Sequence, residues 1–185
     1  MRVFIGLQPD GDFLDRLEVE VVPLRREFPD LKWVPPENRH LTLRFLGETP
    51  PEKVNRICDH LRSHPPRIPP LALSIDRFGG FPARSDLRVI WAGVAASGSL
   101  ATLHNWLETR LAEAGIAAEE RPFHAHITLA RSRTPFTYPQ LKQKLRQTTF
   151  QEIRFPADSI KVFQSRLTPA GPQYSLLKEI PFEHA

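Results

Sequence analysis

Two short segments of this 185-residue chain carry residue types that could move protons at a phosphate: His40-Leu41-Thr42-Leu43 and His126-Ile127-Thr128-Leu129. In a strand, residues i and i+2 point to the same face. Each segment therefore predicts an imidazole and a hydroxyl side by side, backed by apolar residues on the opposite face. A neutral imidazole can take a proton from an attacking water, and a protonated one can give a proton to a leaving oxygen. Both forms exist near neutrality, because an unperturbed histidine titrates at about 6.5. Hydroxyls can donate hydrogen bonds to phosphoryl oxygens that gain charge in the transition state. No metal is needed for this chemistry. One His-x-Thr alone reads as structural, since strands often carry both residue types. Two copies, each with its apolar complement, reverse that reading.

The elements that must position these segments repeat. His40 and His126 lie 86 positions apart, as do Thr42 and Thr128, and Arg2-Val3 and Arg88-Val89. Ser74-Ile75-x-x-Phe78 matches Ser159-Ile160-x-x-Phe163 at an offset of 85. Three blocks in one order at nearly constant spacing indicate an internal duplication. Each half reads strand–helix–strand–helix–strand. In the first, Arg2–Leu7 and His40–Leu46 are expected strands. Leu14, Leu17, Val21, Leu24 and Phe28 mark a helix face, kinked or ended by Pro23. Thr49-Pro50-Pro51-Glu52 resembles a capping box opening a helix faced by Val54, Ile57, Cys58 and Leu61. Leu71, Leu73 and Ile75 alternate as a strand, and Gly79-Gly80 is expected to turn.

The second half offers a strand over Arg88–Val94. A helix faced by Leu100, Leu103, Leu107 and Leu111 follows, stopped by Gly115. His126–Leu129 is a strand, Pro139–Arg146 a short helix, and Ile160–Phe163 and Tyr174–Ile180 are closing strands. The expected architecture is α+β, a bilobal duplicated fold with pseudo-twofold symmetry. Two mostly antiparallel sheets face a central cleft, with helices outside. Residues 1–185 are expected to form a single domain with halves of approximately 1–86 and 87–185.

Composition sets outer bounds. A hydrophobic fraction of 41% is enough for a real core, and 25% charged residues is ordinary for a soluble domain. The net charge of +4 and sequence pI of about 9.6 mildly favour an anionic partner. One cysteine, Cys58, leaves no internal disulfide and no cysteine metal cluster. The apolar start before Pro9 and Asp10 is too short for a signal peptide or membrane span, so a cytoplasmic, monomeric protein with no membrane contact is expected.

Other residues compete for the site. Arg44 lies on the His40 face by strict alternation. Arg131 just follows the second motif and falls on the wrong face unless the strand bends; either guanidinium could hold a phosphate. His124 shares the His126 face, and His124-x-His126 is a conceivable metal pair, but no third ligand stands nearby. Trp33 and Phe81 could stack on a base or merely cover the core. Leu41, Leu43, Phe45, Ile127 and Leu129 read as core. His60, His64, His104 and His184 read as surface residues, and Asp10 and Asp12 as helix-start residues.

The segments HLTLRFLGE and HAHITLAR resemble the paired His-x-Thr signatures of the 2H phosphoesterase superfamily. Within it the chain is most similar to the RNA 2',3'-cyclic phosphodiesterase family, also called 2'-5' RNA ligase. Trp33-Val34-Pro35 and Phe78-Gly79-Gly80-Phe81-Pro82 add to the likeness, which covers nearly the whole chain. A proline often stands before the second histidine of that family; here Ala125 does. The resemblance implies hydrolysis of an RNA 2',3'-cyclic phosphodiester to a 2'-phosphomonoester, without a cofactor or metal. It implies His40 as proton donor to the leaving 3' oxygen and His126 as proton acceptor from water. Thr42, Thr128 and Arg131 are the expected phosphate-binding residues. The expected partner is RNA with a 2',3'-cyclic phosphate end or a small cyclic nucleotide, and reverse 2'-5' ligation is an implied side reaction. The alternatives are a phosphodiesterase for a small cyclic-phosphate nucleotide and a binding module without catalysis.

Overall fold

The computed structural model describes residues 1–81, 87–95, 97–136, 139–148, 152–169 and 171–183. Pro82 and His184 lie outside them. The order is β1 (Arg2–Leu7), α1 (Gly11–Glu27), β2 (Lys32–Trp33), a 3-10 turn (Pro36–Asn38), β3 (Leu41–Glu48), α2 (Pro51–Ser63) and β4 (Leu71–Phe81). Then come β5 (Leu87–Val94), α3 (Gly98–Glu113), β6 (His126–Phe136), α4 (Pro139–Gln147), β7 (Ile153–Ala157), β8 (Ser159–Thr168) and β9 (Gly171–Pro181).

The strands run β7-β4-β5-β6-β3-β1-β8-β9, with β2 beside β6, and all named pairs are antiparallel. The α+β class is as expected. The two anticipated sheets are joined in one path, but only through Leu41↔Ile127. The fourth strand of each half crosses over to the other half's first: β4 pairs with β5, and β8 with β1. Leu41, Leu43, Ile127 and Leu129 join the apolar sides of α1, α2 and α3 in one buried cluster.

The helices form where their apolar spacing puts them. Phe13, Leu17, Val21 and Leu24 line the buried side of α1, and the Asp10 carboxylate caps its start by accepting from the Phe13 N–H at 2.8 Å. Pro23 does not end this helix, which runs on to Glu27. The Thr49 capping box does not form. The Thr49 hydroxyl donates back to the Leu46 and Gly47 carbonyls, and α2 begins on Pro50-Pro51 without a side-chain cap. Gly79-Gly80 makes no turn. Both lie inside β4, where a Cβ on Gly79 would stand 2.3 Å from the Trp91 ring, so the glycine gives the indole its floor.

A β-bulge follows each His-x-Thr. Thr42 pairs with Gly6, but Ile5 pairs with Arg44, leaving Leu43 as the extra residue. Thr128 pairs with Trp91, but Ile90 pairs with Ala130, leaving Leu129 as the extra residue. Alternation resets at both points. Arg44 turns to the helix side, buried against Glu108 of α3 at 2.7 Å and against the Ala117 carbonyl. Phe45, expected in the core, turns to the cleft side and is 52% exposed. The ladders also correct the repeat alignment. Phe4 pairs with Phe45 and Phe163, while Val89 pairs with Arg131 and Phe81. Thus Phe81, not Phe78, holds the place of Phe163, and β1 matches β5 one residue out of step with the Arg2/Arg88 alignment.

Gly6 permits a close approach of backbone to backbone between β1 and β3. A Cβ there would lie 2.5 Å from the Leu41 carbonyl oxygen, a backbone atom with no rotamer to escape by. Gly6→Ala is expected to cost about 1–3 kcal/mol. That loss would be read as a lower urea midpoint at unchanged m-value. Gly11→Ala, with nothing within 4 Å of the added methyl, should leave stability unchanged or raise it by up to about 1 kcal/mol. Equal midpoints for the two variants would contradict the tight β1–β3 contact.

Candidate active site

Leu41 and Ile127 are counterparts in the repeat, and they pair with each other across the seam. Carried one residue either way, that register sets His40 opposite Thr128 and Thr42 opposite His126. All four side chains rise from the face opposite the buried Leu41 and Ile127.

The imidazoles are oriented in the same way. His40 Nδ1 is 2.8 Å from the Asn38 carbonyl oxygen, and His126 Nδ1 is 2.7 Å from that of His124. A carbonyl only accepts, so each Nδ1 carries its hydrogen, and each Nε2 is the atom left for chemistry. The 3-10 turn before β3 presents the Asn38 carbonyl. The Asn38 amide is tied to the Pro172 carbonyl at 3.0 Å, and buried Arg39 is fixed by Glu18 and the Val34 carbonyl.

Aromatic walls enclose both rings. His40 stacks on Phe4 at 4.5 Å between centroids and meets the edge of Tyr174 at 5.1 Å. His126 meets Phe81 edge-on at 5.2 Å, with Trp91 at 6.3 Å. Burial is the main reason the His40 pKa falls from 6.5 to about 4. Its backbone hydrogen bond opposes the fall, while the charges of Arg131 and His126 add to it. Burial likewise lowers His126, helped by Arg131 and His124. Burial raises the Tyr174 phenol, against the pull of Arg131 and Arg2. Arg131 thus acts on His40, His126 and Tyr174 together.

The bulge after Thr128 brings Arg131 to the cleft face, with its guanidinium 3.5 Å from the Thr128 hydroxyl. Arg44, on the wrong side of its own bulge, is not in the site. Phe81 is, whereas Trp33 covers the core with its indole N–H bound to the Phe28 carbonyl at 3.0 Å. The His124 ring is exposed, 6.0 Å from Phe81. Among the described residues no three metal-ligating side chains gather. His60 pairs with Glu113 at 3.0 Å, and His104 stacks on Phe123 at 4.1 Å. No described helix is long and apolar enough to cross a membrane. Phe4, Trp91, Tyr174 and Asn38 escaped the sequence reading; only the aromatic character of the first three was a signal.

The family described as LigT like Phosphoesterase matches residues 7–91 and 94–174. The chain belongs to that family. A Thermotoga maritima relative, an RNA 2',3'-cyclic phosphodiesterase, is 33% identical over 99% of this chain and 96% of its own. An Archaeoglobus fulgidus protein of the same name is 33% identical, covering 96% and 98%. Among solved structures, a Thermus thermophilus protein superposes with a TM-score of 0.78 at 27% identity over 100% and 99% of the two chains. Apo LigT of Escherichia coli gives 0.75 at 25%, over 98% and 97%. The fold of this LigT-like phosphoesterase is thus shared along nearly its whole length.

Both imidazoles should titrate below 6.5 when followed by NMR, His40 near 4, and added inorganic phosphate should raise both by opposing their positive charge. A His40 signal titrating near 6.5 would contradict the burial. Because its folded pKa is depressed, His40 contributes stability that is full above about 6.5 and is lost as pH falls toward 4.

Proposed function

We propose that this LigT-like phosphoesterase hydrolyses RNA 2',3'-cyclic phosphodiester ends to 2'-phosphomonoesters with His40 as acid and His126 as base, the two halves acting as one unit. The observation that carries the reading is the pairing of Leu41 with Ile127, which brings two repeat-related His-Thr pairs to one face. The relatives named RNA 2',3'-cyclic phosphodiesterase support the substrate class.

In the reaction, a water oxygen bonds to phosphorus while its proton passes to Nε2 of neutral His126. The bond from phosphorus to the 3' oxygen breaks, and protonated His40 gives its Nε2 proton to that oxygen. Nδ1 stays on its backbone carbonyl in both rings, so each ring exchanges protons at one atom only. Thr42, Thr128 and Arg131 hold the non-bridging oxygens as charge builds on them. With a 5'-hydroxyl in place of the attacking water, the same groups would join the cyclic end to it through a 2'-5' linkage as the 3' oxygen leaves, but water favours hydrolysis.

His40 has a low pKa in the free protein, yet its role requires a proton. The anionic phosphate supplies the missing stabilisation, so substrate and proton should bind together. One ring must be charged and the other neutral, so the pH profiles are bells. The kcat/KM bell, set by the free protein, should centre below pH 6.5. The kcat bell, set by the complex, should centre higher. A flat kcat/KM between pH 4 and 9 would remove the two-histidine mechanism.

Turnover of adenosine 2',3'-cyclic phosphate should survive EDTA. It should drop about 10²–10⁴-fold in His40→Ala and in His126→Ala. Full activity in either variant, or loss on chelation, would overturn the reading. Thr42→Val and Thr128→Val should lower the rate with the fold intact.

A further inference from the structure

Two like charges stand side by side at one end of the cleft. β3 meets β6 at a single pair, and beyond it β2 takes the place beside β6, with Lys32 opposite Arg131 and Trp33 opposite Ala130. Ala130 is buried and Trp33 packs on the core, so their neighbours Lys32 and Arg131 rise on the cleft face. Cations directly opposite each other on a ladder repel. Arg25, Arg39 and Arg44 are each met by a carboxylate. Among the described residues no carboxylate pairs with Lys32 or Arg131.

The two charged heads point apart. The Arg131 guanidinium turns back along its own strand to the Thr128 hydroxyl, at 3.5 Å, and so toward the His-Thr pairs. The Lys32 ammonium reaches the hairpin between β8 and β9, 4.0 Å from where a Cβ on Gly171 would stand. The Asn38 amide holds that hairpin to the same end of the cleft, through the Pro172 carbonyl at 3.0 Å. A phosphate at the His-Thr pairs answers Arg131 and not Lys32. The repulsion is relieved on both sides only when a second anion lies beside the hairpin.

An RNA that ends in a cyclic phosphate carries such an anion, the diester on the 5' side of its last nucleotide. A free nucleoside cyclic phosphate carries none. We propose that Lys32 seats this second phosphate, so that the cleft selects the end of a polynucleotide over a mononucleotide. The assignment rests on the cyclic-phosphate reading above and narrows its substrate class. Lysine suits the task, because a compact charge on a flexible stem follows a backbone phosphate without fixing its orientation. A phosphate contact carries no sequence information, so it adds affinity for the chain and no preference among bases.

The test compares adenosine 2',3'-cyclic phosphate, the dinucleotide ApA ending in the same cyclic phosphate, and that dinucleotide with an uncharged methylphosphonate linkage. The wild type should favour the charged dinucleotide over the neutral one by about fivefold in kcat/KM, mainly through KM. Lys32→Gln should bring the two to near equality, and Lys32→Arg should restore the preference. Arg56→Gln, which removes the same charge from an exposed position on α2, should keep it. For the charged dinucleotide, the slope of log kcat/KM against log salt should be shallower by about 0.7 in Lys32→Gln. No preference in the wild type, or a preference that survives Lys32→Gln, overturns the assignment. So does an equal loss on all the substrates, which would put Lys32 at the reacting phosphate. Calorimetric binding of the two dinucleotides keeps the readings apart. A protein that hydrolyses neither, yet binds the charged one more tightly until Lys32 is replaced, would retain the second phosphate seat and lose the hydrolase.

Discussion

A single antiparallel pairing, Leu41 with Ile127, governs this molecule. When repeat-equivalent residues pair antiparallel with each other, the local twofold axis must pass between them. The residue before each and the residue after each then exchange neighbours across the seam. That is why each histidine finds the other half's threonine opposite it, and why neither half could build the cleft alone. The crossed strands, β4 on β5 and β8 on β1, bind the halves on both flanks and hold the seam in register. A one-residue slip would send every one of these side chains to the core face.

The electrostatics follow from the same packing. Aromatic walls exclude water from the imidazoles and so favour their neutral forms, most strongly at His40. Arg131 reinforces this, since its charge opposes a second cation nearby. The same charge attracts the phosphate. In the proposed complex a phosphoryl anion would reverse the field at both Nε2 atoms, so the low resting pKa would belong to the free protein only. The backbone carbonyls of Asn38 and His124 add what charge cannot, a fixed tautomer. A side-chain partner could titrate or rotate; a carbonyl in a strand-entry turn does neither.

The histidines, threonines, helix faces and duplication were legible because each depends on local periodicity. Leu17, Val21 and Leu24 bury as their spacing demands, and so do Ile127 and Leu129. What escaped depends on partners distant in sequence. The bulges at Leu43 and Leu129 exist because of how β1 and β5 pair, and nothing within HLTLRF marks the extra residue. Alternation read straight through them put Arg44 on the His40 face and Phe45 in the core, and made Arg131's place in the cleft depend on a bend. Glu108, which claims Arg44, is 64 positions away. Gly79-Gly80 resembles a turn until Trp91 is seen lying on it. Thr49 matched a capping box by composition, but consecutive prolines fix the entry to α2, and the hydroxyl turned back to β3 instead.

Duplication alone would make a symmetric cleft, poorly suited to the proposed reaction with its donor on one side and its acceptor on the other. Several of the positions at which the halves differ lie at the seam. Gly6 faces Trp91, Phe45 faces Arg131, and Phe4 faces Val89 across the axis. Each exchange keeps the backbone ladder and changes only what rises from it. The glycine lets β1 approach β3 until Phe4 lies under His40, deepening that ring's burial. The tryptophan on the other side occupies the space beside Thr128 and leaves His126 less enclosed. Unequal burial makes the two imidazoles unequal acids, and the exchange of Phe45 for Arg131 puts a guanidinium on one side of the cleft only. Side-chain exchanges on matching ladders thus make the two sides of the cleft unequal.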